Sequence, residues 1–86
     1  MTNVIVEHRW KTHNAEEVKK VVGNLVQMSR DKTLPPGFEL KSVNILGSEP
    51  RAICNWDAPS VRDMKDFIEK INPPTKNEVS EAQRIV

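Results

Sequence analysis

Apolar residues recur along this chain with two different periods, and the switches between them mark its elements. Residues 4–10, Val-Ile-Val-Glu-His-Arg-Trp, start β-branched and then alternate, as a strand does when one end is better covered than the other. They predict a central strand. Lys11-Thr12-His13-Asn14 is polar punctuation, and Asn14 followed by Glu17 has the spacing of a capping box with Asn in the Ser/Thr place. The period then becomes helical. Ala15, Val18, Val21, Val22, Leu25, Val26 and Ser29 fall on one side, with Glu16, Glu17, Lys19, Lys20, Asn24 and Gln27 on the other. Glu16 precedes Lys20 in the order that favours a helical ion pair, and Arg30 and Lys32 stand where the helix dipole attracts cations. Pro35-Pro36-Gly37 forbids further helix.

Two strand-like runs follow, residues 38–46 and 51–56, joined by Gly47-Ser48-Glu49-Pro50. A four-residue loop there sets Leu46 opposite Arg51, Ile45 opposite Ala52, Val43 opposite Cys54 and Lys41 opposite Trp56. This register assigns Val43, Ile45, Ala52, Cys54 and Trp56 to a face covered by helices, and Leu40, Ser42, Asn44, Ile53 and Asn55 to the other. Ser60 and Asp63 occupy the cap and third positions of a second helix, whose buried stripe is Val61, Met64, Phe67, Ile68 and Ile71. Asn72-Pro73-Pro74 ends it. Residues 77–86 carry Val79, Ile85 and Val86 among charges, which suits an edge strand, although neither alternating set is cleanly apolar.

The order strand-helix-strand-strand-helix-strand predicts an α+β fold, the ferredoxin-like βαββαβ sandwich: a four-stranded antiparallel sheet with two helices on one face. Its 86 residues suit one domain spanning 1–86. A chain of this size buries only about 60–65% of its unfolded surface, so association with a second copy would add stability.

Thirteen Lys and Arg against twelve Asp and Glu, spread along the chain, give no footprint for a phosphate backbone. Four aromatic residues, two Trp and two Phe, supply no base-stacking platform. Nucleic acid is therefore not an expected partner. One cysteine makes no disulfide within a chain, and the short apolar run at residues 4–6 is neither a signal peptide nor a membrane span. These features predict a cytoplasmic protein with no membrane partner.

The chemistry is sparse. Gly23, Gly37 and Gly47 are the only glycines, so no P-loop, dinucleotide fingerprint or nucleophile elbow can be written. If Val4, Val6, His8 and Trp10 face the helices, then Glu7, Arg9, Ser42, Asn44 and Asn55 share the open face as a candidate ligand-binding set. Two such faces packed together would enclose a space lined by Ile5, Glu7, Arg9, Ile53 and Asn55. The competing reading of Glu7 and Arg9 is an ordinary ion pair. His8 and Cys54 on neighbouring strands, with His13 at the next turn, offer zinc, nickel or copper ligands without a recognised spacing. A buried Cys is more often a small apolar residue, and a mid-strand Cys54 lacks the access a nucleophile needs. Trp10 and Trp56, set near strand ends, are either a stacking wall or the rim of the core.

Residues 4–10, the Pro36-Gly37 turn before the hairpin, Ala58-Pro59-Ser60 opening the second helix and the stretch from Pro73 to Val79 together resemble a known group. They are similar to the small uncharacterised ferredoxin-like proteins of the dimeric α/β-barrel type, which include a nickel-binding branch. The resemblance spans nearly the whole chain and implies a homodimer with its sheets face to face and a ligand between sheets and helices. For the nickel branch it implies histidine ligands, onto which only His8 and His13 map. The leading expectation is a homodimer binding a small ligand, with no cofactor assigned. The alternative is a nickel- or zinc-binding protein, and the enzyme option is a cofactor-free monooxygenase, for which no base with a partner is visible.

Overall fold

A computed structural model describes residues 2–11, 14–46 and 50–83. In chain order these form β1 (Thr2–Arg9), α1 (Ala15–Asp31), β2 (Glu39–Leu46), β3 (Arg51–Ala58), α2 (Val61–Ile71) and β4 (Lys76–Glu81). The strands make one antiparallel sheet in the order β2-β3-β1-β4, which is a ferredoxin-like α+β fold. Among the described residues no helix is long and apolar enough to cross a membrane.

Alternation along the two central strands decides where the core lies. Val4 and Val6 of β1 and Ala52, Cys54, Trp56 and Ala58 of β3 are buried, while the residues between them are only partly covered. Leu25 from α1 and Met64 and Ile68 from α2 join the same cluster, so both helices cover this one face. Trp56 is its centre, with Phe38 and Phe67 edge-on to it at centroid separations of 6.5 and 5.8 Å. Val79, opposite Val6, packs on the cluster as well, which gives β4 the face that its sequence pattern leaves open.

The hairpin keeps the expected register from Leu46 opposite Arg51 to Ser42 opposite Asn55, and then departs from it. Lys41 is an extra residue, a β-bulge, so Leu40 and not Lys41 stands opposite Trp56. Leu40 thereby turns to the helix side and packs on the core, where the bulge-free register had it on the open face. Ile45 faces the helix side as expected but is 54% exposed, because on β2 the core reaches only as far as Val43. The two tryptophans do not meet. Val4 opposes Trp56, and Trp10 lies six residues further along, about 20 Å at strand rise, with its N–H on the Pro50 carbonyl.

Helix ends follow local chemistry. Ser60 is extended and its Oγ accepts from the Asp63 N–H at 3.0 Å, as the spacing predicts. The capping box at Asn14 is not made: its backbone is not extended (φ −93°, ψ 1°), so the side chain cannot turn back onto the helix, and its N–H closes a turn on the Lys11 carbonyl at 2.8 Å. Glu16 pairs with Lys19 at 3.7 Å and not with Lys20. After α1 the Phe38 N–H bonds the Pro35 carbonyl at 3.1 Å, and Gly37 has φ +87°, a type II turn with Pro36 leading it. A Cβ on Gly37 would lie 2.9 Å from the Pro59 ring, so the turn that launches β2 requires glycine twice over.

Candidate functional site

Ladder pairing arranges the open face of the sheet as rows running across β2, β3, β1 and β4, because residues directly opposite each other point to the same side. The first row is Leu46, Arg51, Arg9 and Lys76; the second is Asn44, Ile53, Glu7 and Glu78. The third is Ser42, Asn55, Ile5 and Ser80, and beyond it Glu39, Asp57 and Asn3 close the far end. Cations thus line one end of the face with Glu7 and Glu78 in the row beside them, while Glu39 and Asp57 stand at the other end. Lys41, displaced by the bulge, reaches Asp57 at 3.3 Å and offsets part of that negative charge.

All five residues of the candidate ligand set lie on this face, but they do not converge on one hollow. Arg9 Nε donates to Glu7 Oε1 at 2.5 Å, with the Arg9 side chain 62% exposed and that of Glu7 24% exposed. Asn55 is held from the other side, its Oδ1 accepting from Asn3 Nδ2 at 2.6 Å, while the same Asn3 amide donates to the Trp56 carbonyl at 3.0 Å. A depression of about 440 Å³ contains Asn3, Ile5, Lys41, Asn55 and Asp57, and a separate one of about 270 Å³ contains Glu7, Arg9, Lys76 and Glu78. Ser42 and Asn44 stand exposed on the edge strand.

On the helix side, His8 and Cys54 share a face of adjacent strands. His8 is 5% exposed, and burial holds its imidazole below the usual 6.5, against a smaller opposing effect from its hydrogen bond to Asn77. Asn77 Oδ1 lies 2.6 Å from His8 Nδ1 and accepts from Thr75 Oγ1 at 2.5 Å, while Asn77 Nδ2 donates to the Thr75 carbonyl at 3.3 Å. That arrangement fixes the amide oxygen toward the imidazole, so Nδ1 carries the proton. Burial pushes the Cys54 thiol up to about 11, so at neutral pH it stays protonated and is a poor nucleophile. Among the described residues no three His, Cys, Asp or Glu stand together as a metal site. His13 lies outside the described residues.

A further concavity among the described residues is one the sequence pattern does not disclose. Where β1 runs out toward α1 and α2 turns into β4, a cleft of about 660 Å³ is formed by Arg9, Trp10, Lys11 and Asn14 on one side and residues 73–76 on the other. Most of the chain separates these two segments, and the pairing of β1 with β4, which ends at Arg9 opposite Lys76, brings them together. Composition and spacing carry no signal for such a meeting.

Comparison with known proteins adds no relative: no family model, no curated protein and no solved structure matches the chain.

Proposed function

We propose that two copies of this chain stack their open sheet faces as a dimeric α/β barrel in the cytoplasm, and bind a small molecule in the space between them. The observation that carries this reading is the uncovered face itself, with Ile5 and Ile53 on neighbouring central strands inside a polar surround. Such a mixed surface suits a small ligand once a second sheet encloses it. Strands of eight residues in a four-stranded sheet span roughly 26 by 19 Å, so two stacked faces bury on the order of 1,000 Å², the lower edge of a specific interface.

Charge supports one orientation. With the strands of the second copy running opposite to the first, the row of Arg51, Arg9 and Lys76 faces an end bearing Glu39 and Asp57; with strands running the same way, three cations face three cations. Within the enclosed space Glu7 and Arg9 orient a polar group, and Ser42, Asn44 and Asn55 offer neutral hydrogen bonds. A cytoplasmic setting suits a chain whose one cysteine is buried as a thiol.

Native mass spectrometry of protein purified without affinity-column metal tests the reading. The expected species has twice the 9.8 kDa chain mass plus a bound small molecule, and the added mass disappears in Glu7→Ala and Arg9→Ala while the dimer persists. A single chain of 9.8 kDa would remove the enclosed space and the proposal with it.

A further inference from the structure

We infer that the small molecule held between the paired faces presents an acceptor oxygen, a carbonyl or a carboxylate, to the Asn55 amide beside Lys41, and that Asn3 positions that amide. The inference rests on the reading of the open face as a site closed by a second copy, and names the class of ligand such a site takes. A backbone atom sets the orientation. Asn3 Nδ2 donates to the Trp56 carbonyl at 3.0 Å, and a carbonyl only accepts, so the nitrogen of Asn3 and not its oxygen lies on that side. The same nitrogen is 2.6 Å from the Asn55 side chain, which therefore turns its own oxygen, Oδ1, toward Asn3. Asn55 Nδ2, with its N–H donors, is left pointing away from Asn3, and among the described residues it has no partner.

The acceptors around that amide are largely spent. In the hollow of about 440 Å³ that holds Asn3, Ile5, Lys41, Asn55 and Asp57, Asp57 Oδ2 takes Lys41 Nζ at 3.3 Å and Asp57 Oδ1 takes Asn3 Nδ2 at 3.4 Å. Asn3 Oδ1 is turned from Asn55 by the same geometry, and Gln83 is exposed at the end of the described chain. What remains to meet a ligand is donors, the Asn55 amide hydrogens and the Lys41 hydrogens not given to Asp57. Ile5 stands directly opposite Asn55, so an apolar body has a place beside the polar end. In the orientation that charge favours, the row of the second copy over this end carries Arg51, Arg9 and Lys76, which are donors again. An enclosed ligand without an acceptor would strand the Asn55 amide hydrogens away from water, which costs binding. Lys41 and Asp57 neutralise each other, so a neutral carbonyl meets these donors as well as a carboxylate does, and the test separates the two.

The experiment is an NMR titration of the intact chain, its mass followed by light scattering, with three probes that share one apolar ring: cyclohexanone, cyclohexanecarboxylate and cyclohexylamine. Saturable shifts are expected at the Asn55 side-chain amide and at the Ile5 and Lys41 backbone amides with at least one of the first two. The amine, a cation without an acceptor at neutral pH, should bind roughly tenfold more weakly. Response to the ketone alone identifies a carbonyl site, to the carboxylate alone a carboxylate site, and to both a site for either group. Asn55→Asp keeps the shape and the bond from Asn3 but turns an oxygen toward the ligand, so it should weaken the acceptor probes roughly tenfold while the protein stays dimeric. Asn3→Ala frees the Asn55 amide to turn over and should narrow the difference between ketone and amine; an equal loss for both would overturn the positioning role. A dimer with no saturable shift for either acceptor probe, with the amine bound as tightly, or with undiminished affinity in Asn55→Asp overturns the inference and leaves the paired faces standing. A single chain mass for the intact protein removes both.

Discussion

Trp56 has no exposed surface, two aromatic rings against it, and an indole N–H with no hydrogen-bond partner among the described residues. An unpaired buried donor costs about 1–3 kcal/mol, so the ring contacts outweigh a penalty built into the same side chain. Trp56→Ala should therefore lose about 3–5 kcal/mol of stability in urea unfolding, as emptied aromatic sites do. Trp56→Phe should lose far less, since it removes the unpaired N–H together with part of the ring; equal losses for the two variants would contradict this account of the core. His8 makes a pH-dependent contribution whose sign follows from burial. Its folded pKa lies below the unfolded 6.5, so above that value both states are neutral, and as pH falls through it the unfolded chain takes a proton that the folded chain refuses. Stability should fall on acidification from about pH 7.5 to 5.5, and His8→Gln should flatten that slope in the same unfolding assay; an unaltered slope would show that His8 titrates freely in the folded protein. The side on which His8 and Cys54 stand is legible from strand alternation. Their chemistry is not, because His8 is anchored by Asn77 from β4, a strand whose pairing no local pattern specifies.

At the scale of elements, the two helices and the hairpin are legible because each is set by residues close in sequence: an apolar stripe, a Ser60–Asp63 cap, a turn after Pro35. The bulge at Lys41 is not, since an inserted residue leaves the composition of a strand unchanged and reveals itself only by what lies opposite. Deleting Lys41 tests it. The remaining chain would keep Ser42 opposite Asn55 and Leu40 opposite Trp56 in an unbroken ladder, losing only the surface pair with Asp57, so stability should change by no more than about 1 kcal/mol. Deletion of Asn44, by contrast, flips every side chain on one side of it to the wrong face and should cost several-fold more. Comparable damage from the two deletions, measured by urea unfolding, would mean that Lys41 is an ordinary member of the ladder. The fourth strand is legible only as an edge, because one apolar residue, Val79, is too few to announce a face.

Over the whole molecule, the rows of the open face depend on the pairing of β1 with β3 and with β4, and neither is a hairpin whose turn would fix the register. The candidate set of Glu7, Arg9, Ser42, Asn44 and Asn55 could be assigned to one face from alternation alone. That Asn55 lies in one hollow and Glu7 and Arg9 in another, with Ser42 and Asn44 lining neither of these, and that Trp10 lines a cleft with Lys76, required the long-range registers. The same rows carry the central claim, that this face pairs with its own copy. Ile53 sits on a central strand of that face, opposite Glu7 and Asn44 and away from the core, so a carboxylate there should oppose association without unfolding the chain. The most direct measurement is light scattering on the eluting protein for the intact chain and for Ile53→Glu, with circular dichroism to confirm the fold of both. A mass of twice 9.8 kDa for the intact chain and 9.8 kDa for the variant is the predicted result. One chain mass for the intact protein, or an unchanged dimer in the variant, would contradict it.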